Sequence, residues 1–178
     1  MKLIKRIFIV IALIVALVYL VIIPYIHQEA KKFSPAKTAQ LELKGSSLEV
    51  EYSSPSKKGR IIFGDLVPFG KVWRTGANEP TTFSTTQNIK IIDKILPAGK
   101  YSLWTVPNRN SWKVIFNTQI PDWGVTRVDG NQTTHDPRFD YLTVEVPVKT
   151  LENPVENFSI DFEHLKDGIQ QQNYLDLA

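Results

Sequence analysis

The chain opens on an unbroken apolar run and then changes period. Ile7 to Ile26 contains no Lys, Arg, His, Asp or Glu, and a helix of that length spans about 30 Å, the thickness of a bilayer's hydrocarbon core. Lys2, Lys5 and Arg6 precede the run, which predicts a cytoplasmic N-terminus. Lys31 and Lys32 beyond it blunt that asymmetry, and Tyr25 falls where the far interface would lie. A cleaved signal peptide competes with this reading, but it has a shorter apolar stretch and a small-residue exit. The exit here is Ile-Ile-Pro-Tyr-Ile-His. The pattern therefore predicts a cytoplasmic tail over 1–6, a transmembrane anchor over 7–26 and a polar linker over 27–38 that begins as a helical extension and contains Pro35.

From Leu41 onward the period is two, and residues 39–178 read as one domain. Leu48, Val50 and Tyr52 alternate with Glu49 and Glu51; Trp112, Val114 and Phe116 alternate with Lys113 and Asn117, with Ile115 apolar between them. Leu142, Val144, Val146 and Val148 form a third set, and Phe158, Ile160 and Phe162 a fourth. Alternation of this kind places one face of a strand on a core and the other in water. Turn-forming clusters separate the runs, among them Pro97-Ala98-Gly99, which predicts a hairpin whose second strand is Tyr101–Val106, and Asp129-Gly130-Asn131. Leu165 to Gln172 could form a turn of helix, weakened by Gly168. Eight or so short strands predict an all-β domain, an antiparallel β-sandwich with a closed β-barrel as the alternative.

Composition adds bounds rather than an activity. At 178 residues, 43% hydrophobic and 22% charged, the chain holds one domain plus an appendage and is not a disordered polyelectrolyte. Without cysteine it has no disulfide and no thiol chemistry. The net charge of +3 divides unevenly: residues 1–37 carry six basic side chains and one acidic one, whereas residues 38–178 carry 15 and 17. The basicity belongs to the leader, so nucleic acid is not an expected partner.

Trp73-Arg74-Thr75-Gly76-Ala77-Asn78-Glu79 concentrates the chemistry. Arg74 could hold a carboxylate or phosphate bidentately, with Asn78 orienting it, Glu79 serving as base and the Thr75 hydroxyl a further binding candidate. The bland alternative is a structural corner in which Arg74 pairs with Glu79, Gly76 supplies positive φ, and Thr75 or Asn78 satisfies backbone groups. Ser56-Lys57-Lys58-Gly59-Arg60 could grip an anionic glycan or phosphate through Lys58 and Arg60, but it lacks phosphate-loop spacing and reads more readily as a solvated loop. His135 is a second candidate base. With Asp136 and Asp140, or Asp129, it could ligate a hard metal, yet no metal-binding spacing is present, and neither metal nor cofactor is expected. His27 lies at the membrane edge and His164 at a strand end. No G-x-S-x-G elbow favours a Ser–His–Asp triad. Trp104 and Trp123 adjoin turns and are the candidates for an exposed stacking platform, while Trp112 and Phe116 read as core.

The run from Ser54 to Glu79, with Leu96-Pro-Ala-Gly-Lys-Tyr-Ser-Leu103, Trp112 and Trp123-Gly124, resembles a bacterial family catalogued as Domain of Unknown Function 2911. The resemblance covers Leu43 to the C-terminus. It implies a β-rich exported domain in bacteria with outer membranes, and no activity. The family pattern continues past the strand matching Asn173–Ala178 with a further tryptophan and a closing strand, so the resemblance leaves this sheet short of its last edge.

Two functional classes follow. The first is a binding or scaffolding module held outside the cytoplasmic membrane, engaging an envelope protein, a glycan or a small acidic ligand. The second is an envelope hydrolase or lyase in which Arg74 binds an acidic substrate and Glu79 or His135 acts as base. A purely structural envelope protein is a weaker third.

Overall fold

The computed structural model describes residues 2–43, 45–125, 133–162 and 175–177. It divides into two compact units, Met1–Phe33 and Ser34–Ala178. The first is one apolar helix, α1 (Lys2–Leu17) running through a π-helical turn at Val18–Ile22 into α2 (Ile23–Phe33). In that turn the Ile23 amide donates to the Val18 carbonyl. Pro24 follows directly and has no amide for the Leu20 carbonyl, so the wider turn absorbs the defect without ending the helix. Leu3–Phe33 is long and apolar enough to cross a membrane, a property that an anchor and a signal sequence share.

The segment read as a linker, residues 27–38, begins as the expected helical extension. Helix persists to Phe33 and strand begins at Ala36, because Gln28 to Lys32 are adequate helix formers until Pro35 stops the run.

The second unit is mostly β. The strands are β1 (Ala36–Leu43), β2 (Ser46–Ser53), β3 (Thr81–Thr85), β4 (Ile89–Ile91), β5 (Lys94–Leu96), β6 (Gly99–Val106), β7 (Ser111–Asn117), β8 (Asp140–Pro147), β9 (Ile160–Phe162) and β10 (Leu175–Leu177). Six form one antiparallel sheet in the order β1-β2-β3-β6-β7-β8; β4 with β5 and β9 with β10 form two-stranded ribbons. The sheet is open, with β1 and β8 at its edges, so the barrel alternative is not realised. The expected hairpin at Pro97-Ala98-Gly99 is also absent. That turn leads out of the β4–β5 ribbon, and β6 pairs instead with β3 and β7.

Register places alternating apolar residues on one face: Val50 opposite Phe83, Phe83 opposite Tyr101, Leu103 opposite Phe116, and Phe116 opposite Leu142. These residues form a buried cluster with Leu96 of β5 and Ile160 of β9, and Ile89, Ile91, Phe158 and Phe162 pack against it. The ribbons therefore cover the inner face, where apolar burial supplies most of the stabilisation. The Asp129–Asn131 turn, His164 and the helical turn over 165–172 lie outside the described residues.

Candidate functional site

Trp73 joins the sheet by a single bridge. Its amide donates to the Thr105 carbonyl at 2.7 Å, and the Thr105 amide donates back at 2.9 Å. The Trp73 ring packs edge-on against Phe63, Trp112 and Phe158, with centroids 5.8, 6.2 and 5.2 Å away. Since side chains alternate along extended backbone, Arg74 belongs to the opposite face, that of Trp104.

After Arg74 the chain turns sharply. Thr75 is fully buried at φ 57°, a conformation that β-branched residues rarely adopt. Its Oγ1 lies 3.1 Å from Thr105 Oγ1, and its carbonyl accepts from Thr81 Oγ1 at 2.5 Å. Gly76 follows at φ 147°, where a Cβ would stand 2.9 Å from the Ser53 carbonyl. Asn78, at φ 59°, donates from Nδ2 to the Ser34 carbonyl and Ser53 Oγ at 3.2 and 3.4 Å. Thr75 and Asn78 thus tie the corner to β6, to the start of β3 and to Ser34 and Ser53 through hydrogen bonds.

Arg74 departs from that reading. No ion pair joins it to the half-buried Glu79, and its Nε is fully buried with no hydrogen-bond partner. Desolvation by burial pushes the guanidinium pKa below its ordinary value. The side chain lies across Gly124, where a Cβ would fall 2.3 Å from Arg74 Cδ, and the Gly124 amide donates to the Asn78 carbonyl at 3.0 Å. Gly124 is not at positive φ; its lack of a side chain makes room for the arginine. Sequence reasoning quoted Trp123-Gly124 as a motif and missed this role, since nothing in the local pattern links positions so far apart.

Trp104 is corrected outright. It is fully buried, so it offers no stacking platform. Its Nε1 donates to Ser102 Oγ at 2.8 Å and its ring lies 5.4 Å from the His135 ring. Trp123 is half-buried, and its carbonyl accepts from Thr134 Oγ1 at 2.7 Å. The His135 side chain is buried and turned toward Asp140, with Nε2 2.7 Å from Asp140 Oδ1. Asn117 Nδ2 donates to the same oxygen at 2.7 Å and to the Asp136 carbonyl at 2.8 Å. Asp136 instead engages Arg138 at 2.5 Å, so the two carboxylates that follow His135, those of Asp136 and Asp140, point to different partners. This network ties residues 133–136 to the outer face of the sheet. Neither Asn117 nor Ser102 was singled out from sequence, since a polar residue in a strand reads as solvent-facing.

Lys58 and Arg60 belong to a separate loop. Lys58 and Gly59 stand at φ 49° and 69°, and the Arg60 amide donates to the Lys57 carbonyl at 3.0 Å, closing a tight turn. The Arg60 guanidinium folds back on the Lys57 and Ser56 carbonyls at 3.0 and 2.7 Å.

A family model described as a protein of unknown function, DUF2911, matches residues 34–175. The chain belongs to the DUF2911 family. The match begins at Ser34, where the second compact unit begins, and contains every candidate residue above. No curated protein and no solved structure matches the chain. The DUF2911 domain is therefore an open six-stranded sheet with two covering ribbons, carrying a half-buried arginine at a strained corner.

Proposed function

We propose that this DUF2911 protein is a single-pass binding module of the bacterial cell envelope. Its N-terminus lies in the cytoplasm, its β domain lies outside the cytoplasmic membrane, and Arg74 takes the carboxylate or phosphate of a small acidic ligand. The ribbons packed on the inner face support reading the domain as a sandwich with a reduced second layer. Lys2, Lys5 and Arg6 before the apolar helix support the orientation.

The observation that carries the ligand reading is the Arg74 guanidinium, half-buried, with no anionic partner among the described residues and with a buried Nε that has no hydrogen-bond partner. Burying an unsatisfied donor costs about 1–3 kcal/mol, and an anion arriving with two oxygens would remove that cost bidentately. The test is thermal unfolding of the full chain in detergent with inorganic phosphate, succinate, citrate and glucuronate. At least one acid is expected to raise Tm in wild type and fail to do so in Arg74→Met, which keeps the stem packed on Gly124. Glu79→Gln is expected to respond like wild type, whereas a hydrolase or lyase would lose turnover. A wild-type chain indifferent to every acid, or an Arg74→Met chain that responds normally, would sink the reading.

A further inference from the structure

The loop that carries Lys58 and Arg60 also presents apolar side chains to solvent. Ile61 is 69% exposed and Leu66 55%, and the two are joined through the Leu66 amide, which donates to the Ile61 carbonyl at 3.4 Å. Lys57, Lys58 and Arg60 stand immediately before them. Arg60 is tied to two loop carbonyls and its charge is exposed. The loop is braced from a second segment: the Lys57 amide donates to the Glu156 carbonyl at 2.6 Å, the Lys58 amide to Glu156 Oε1 at 2.8 Å, and Ser56 Oγ to Asn157 Oδ1 at 2.7 Å. Asp65 within the loop and Glu156 bonded to it are acidic, two against the three cations Lys57, Lys58 and Arg60. Cations beside exposed aliphatic residues are the composition of a surface that meets anionic lipid: the aliphatic groups enter the headgroup boundary while the cations stay among the phosphates.

The chain's own path says which surface covers it. The apolar helix ends at Phe33 and the β domain begins at the next residue. Pro35 is then pinned to the start of this loop, its carbonyl accepting from the Ser54 amide at 2.9 Å. At no more than about 3.5 Å per residue, Ile61 cannot lie further than about 25 Å from that bond. We infer that the Lys57–Leu66 loop docks on anionic lipid headgroups of the bilayer that holds the helix, restraining the domain at the membrane surface. This rests on the anchoring part of the reading above and is independent of Arg74.

The absence of cysteine allows a single reporter to be placed in the full chain. Ile61→Cys carries an environment-sensitive fluorophore, and Ile95→Cys, on the β4–β5 ribbon and 64% exposed, is the control. Each is reconstituted in vesicles of phosphatidylcholine alone or of equal parts phosphatidylcholine and phosphatidylglycerol. Flotation with both vesicle types reports the anchor. Emission of the Ile61 probe is expected to shift to the blue only with phosphatidylglycerol, to be quenched by a lipid-borne quencher, and to revert at high salt or with Lys57→Glu/Lys58→Glu. The Ile95 probe is expected to stay unchanged. A chain that floats but shows no lipid-dependent shift at Ile61 overturns the docking alone, and one that does not float overturns the anchor with it. An equal shift in both lipids, or one produced in phosphatidylcholine by a soluble sulfated glycan, also overturns it.

Discussion

Ile92 stands at φ 58° in the two-residue turn between β4 and β5, 62% exposed. A β-branched residue there crowds its own backbone, and exposure returns little packing in exchange. Ile92→Asn is expected to raise unfolding free energy by about 1 kcal/mol, read by denaturant titration of the full chain; a loss would show that the side chain packs after all. Thr75 shows the same strain under different circumstances, being fully buried and bonded to Thr105. Neither conformation was legible in the sequence, because positive φ announces itself only through Gly, Asn or Asp. Gly76 and its role were legible for that reason. Trp104 was misread because adjacency to a turn says nothing about which face is covered.

Among the elements, the long strands of the sheet followed from strict alternation, which survives wherever one face meets the core. The β4–β5 ribbon did not, since Ile92-Asp93 lacks the Asn-Gly or Asp-Gly signature of a two-residue turn. What lies on the outer face was illegible too, because the sequence between β7 and β8 has no period. Its described residues, 118–125 and 133–139, are held instead by side-chain-to-backbone bonds, and a short 3₁₀ turn at Pro137–Phe139 is part of them. There the Arg138 guanidinium beside Asp136 holds its carboxyl at about 2, below the ordinary 3.8. A depressed carboxylate contributes stability that is complete above its unfolded value and fades as pH falls through the folded one. Stability is therefore expected to fall between pH 4 and 2, roughly the interval separating those values, and Arg138→Ala is expected to flatten that limb. Identical acid limbs in the two proteins would contradict it.

At the scale of the whole molecule, the sheet draws together residues that the sequence keeps apart. The Arg74 corner rests on Gly124 by direct contact and by the Gly124 amide bond to Asn78. A methyl group at Gly124 would lie 3.0 Å from both Arg74 Cβ and the Asn78 carbonyl, so Gly124→Ala is expected to destabilise by about 2 kcal/mol through overpacking. Arg74→Ala in the same chain is expected to recover part of that loss, a non-additivity that a double-mutant cycle measures. Simple additivity would mean that the two residues do not share the space. The same crowding constrains descent: a related chain that places any larger residue at the Gly124 position has no room for an arginine lying as Arg74 lies here. The two positions are therefore expected to change together: a chain that loses the glycine must also give up or redirect the arginine.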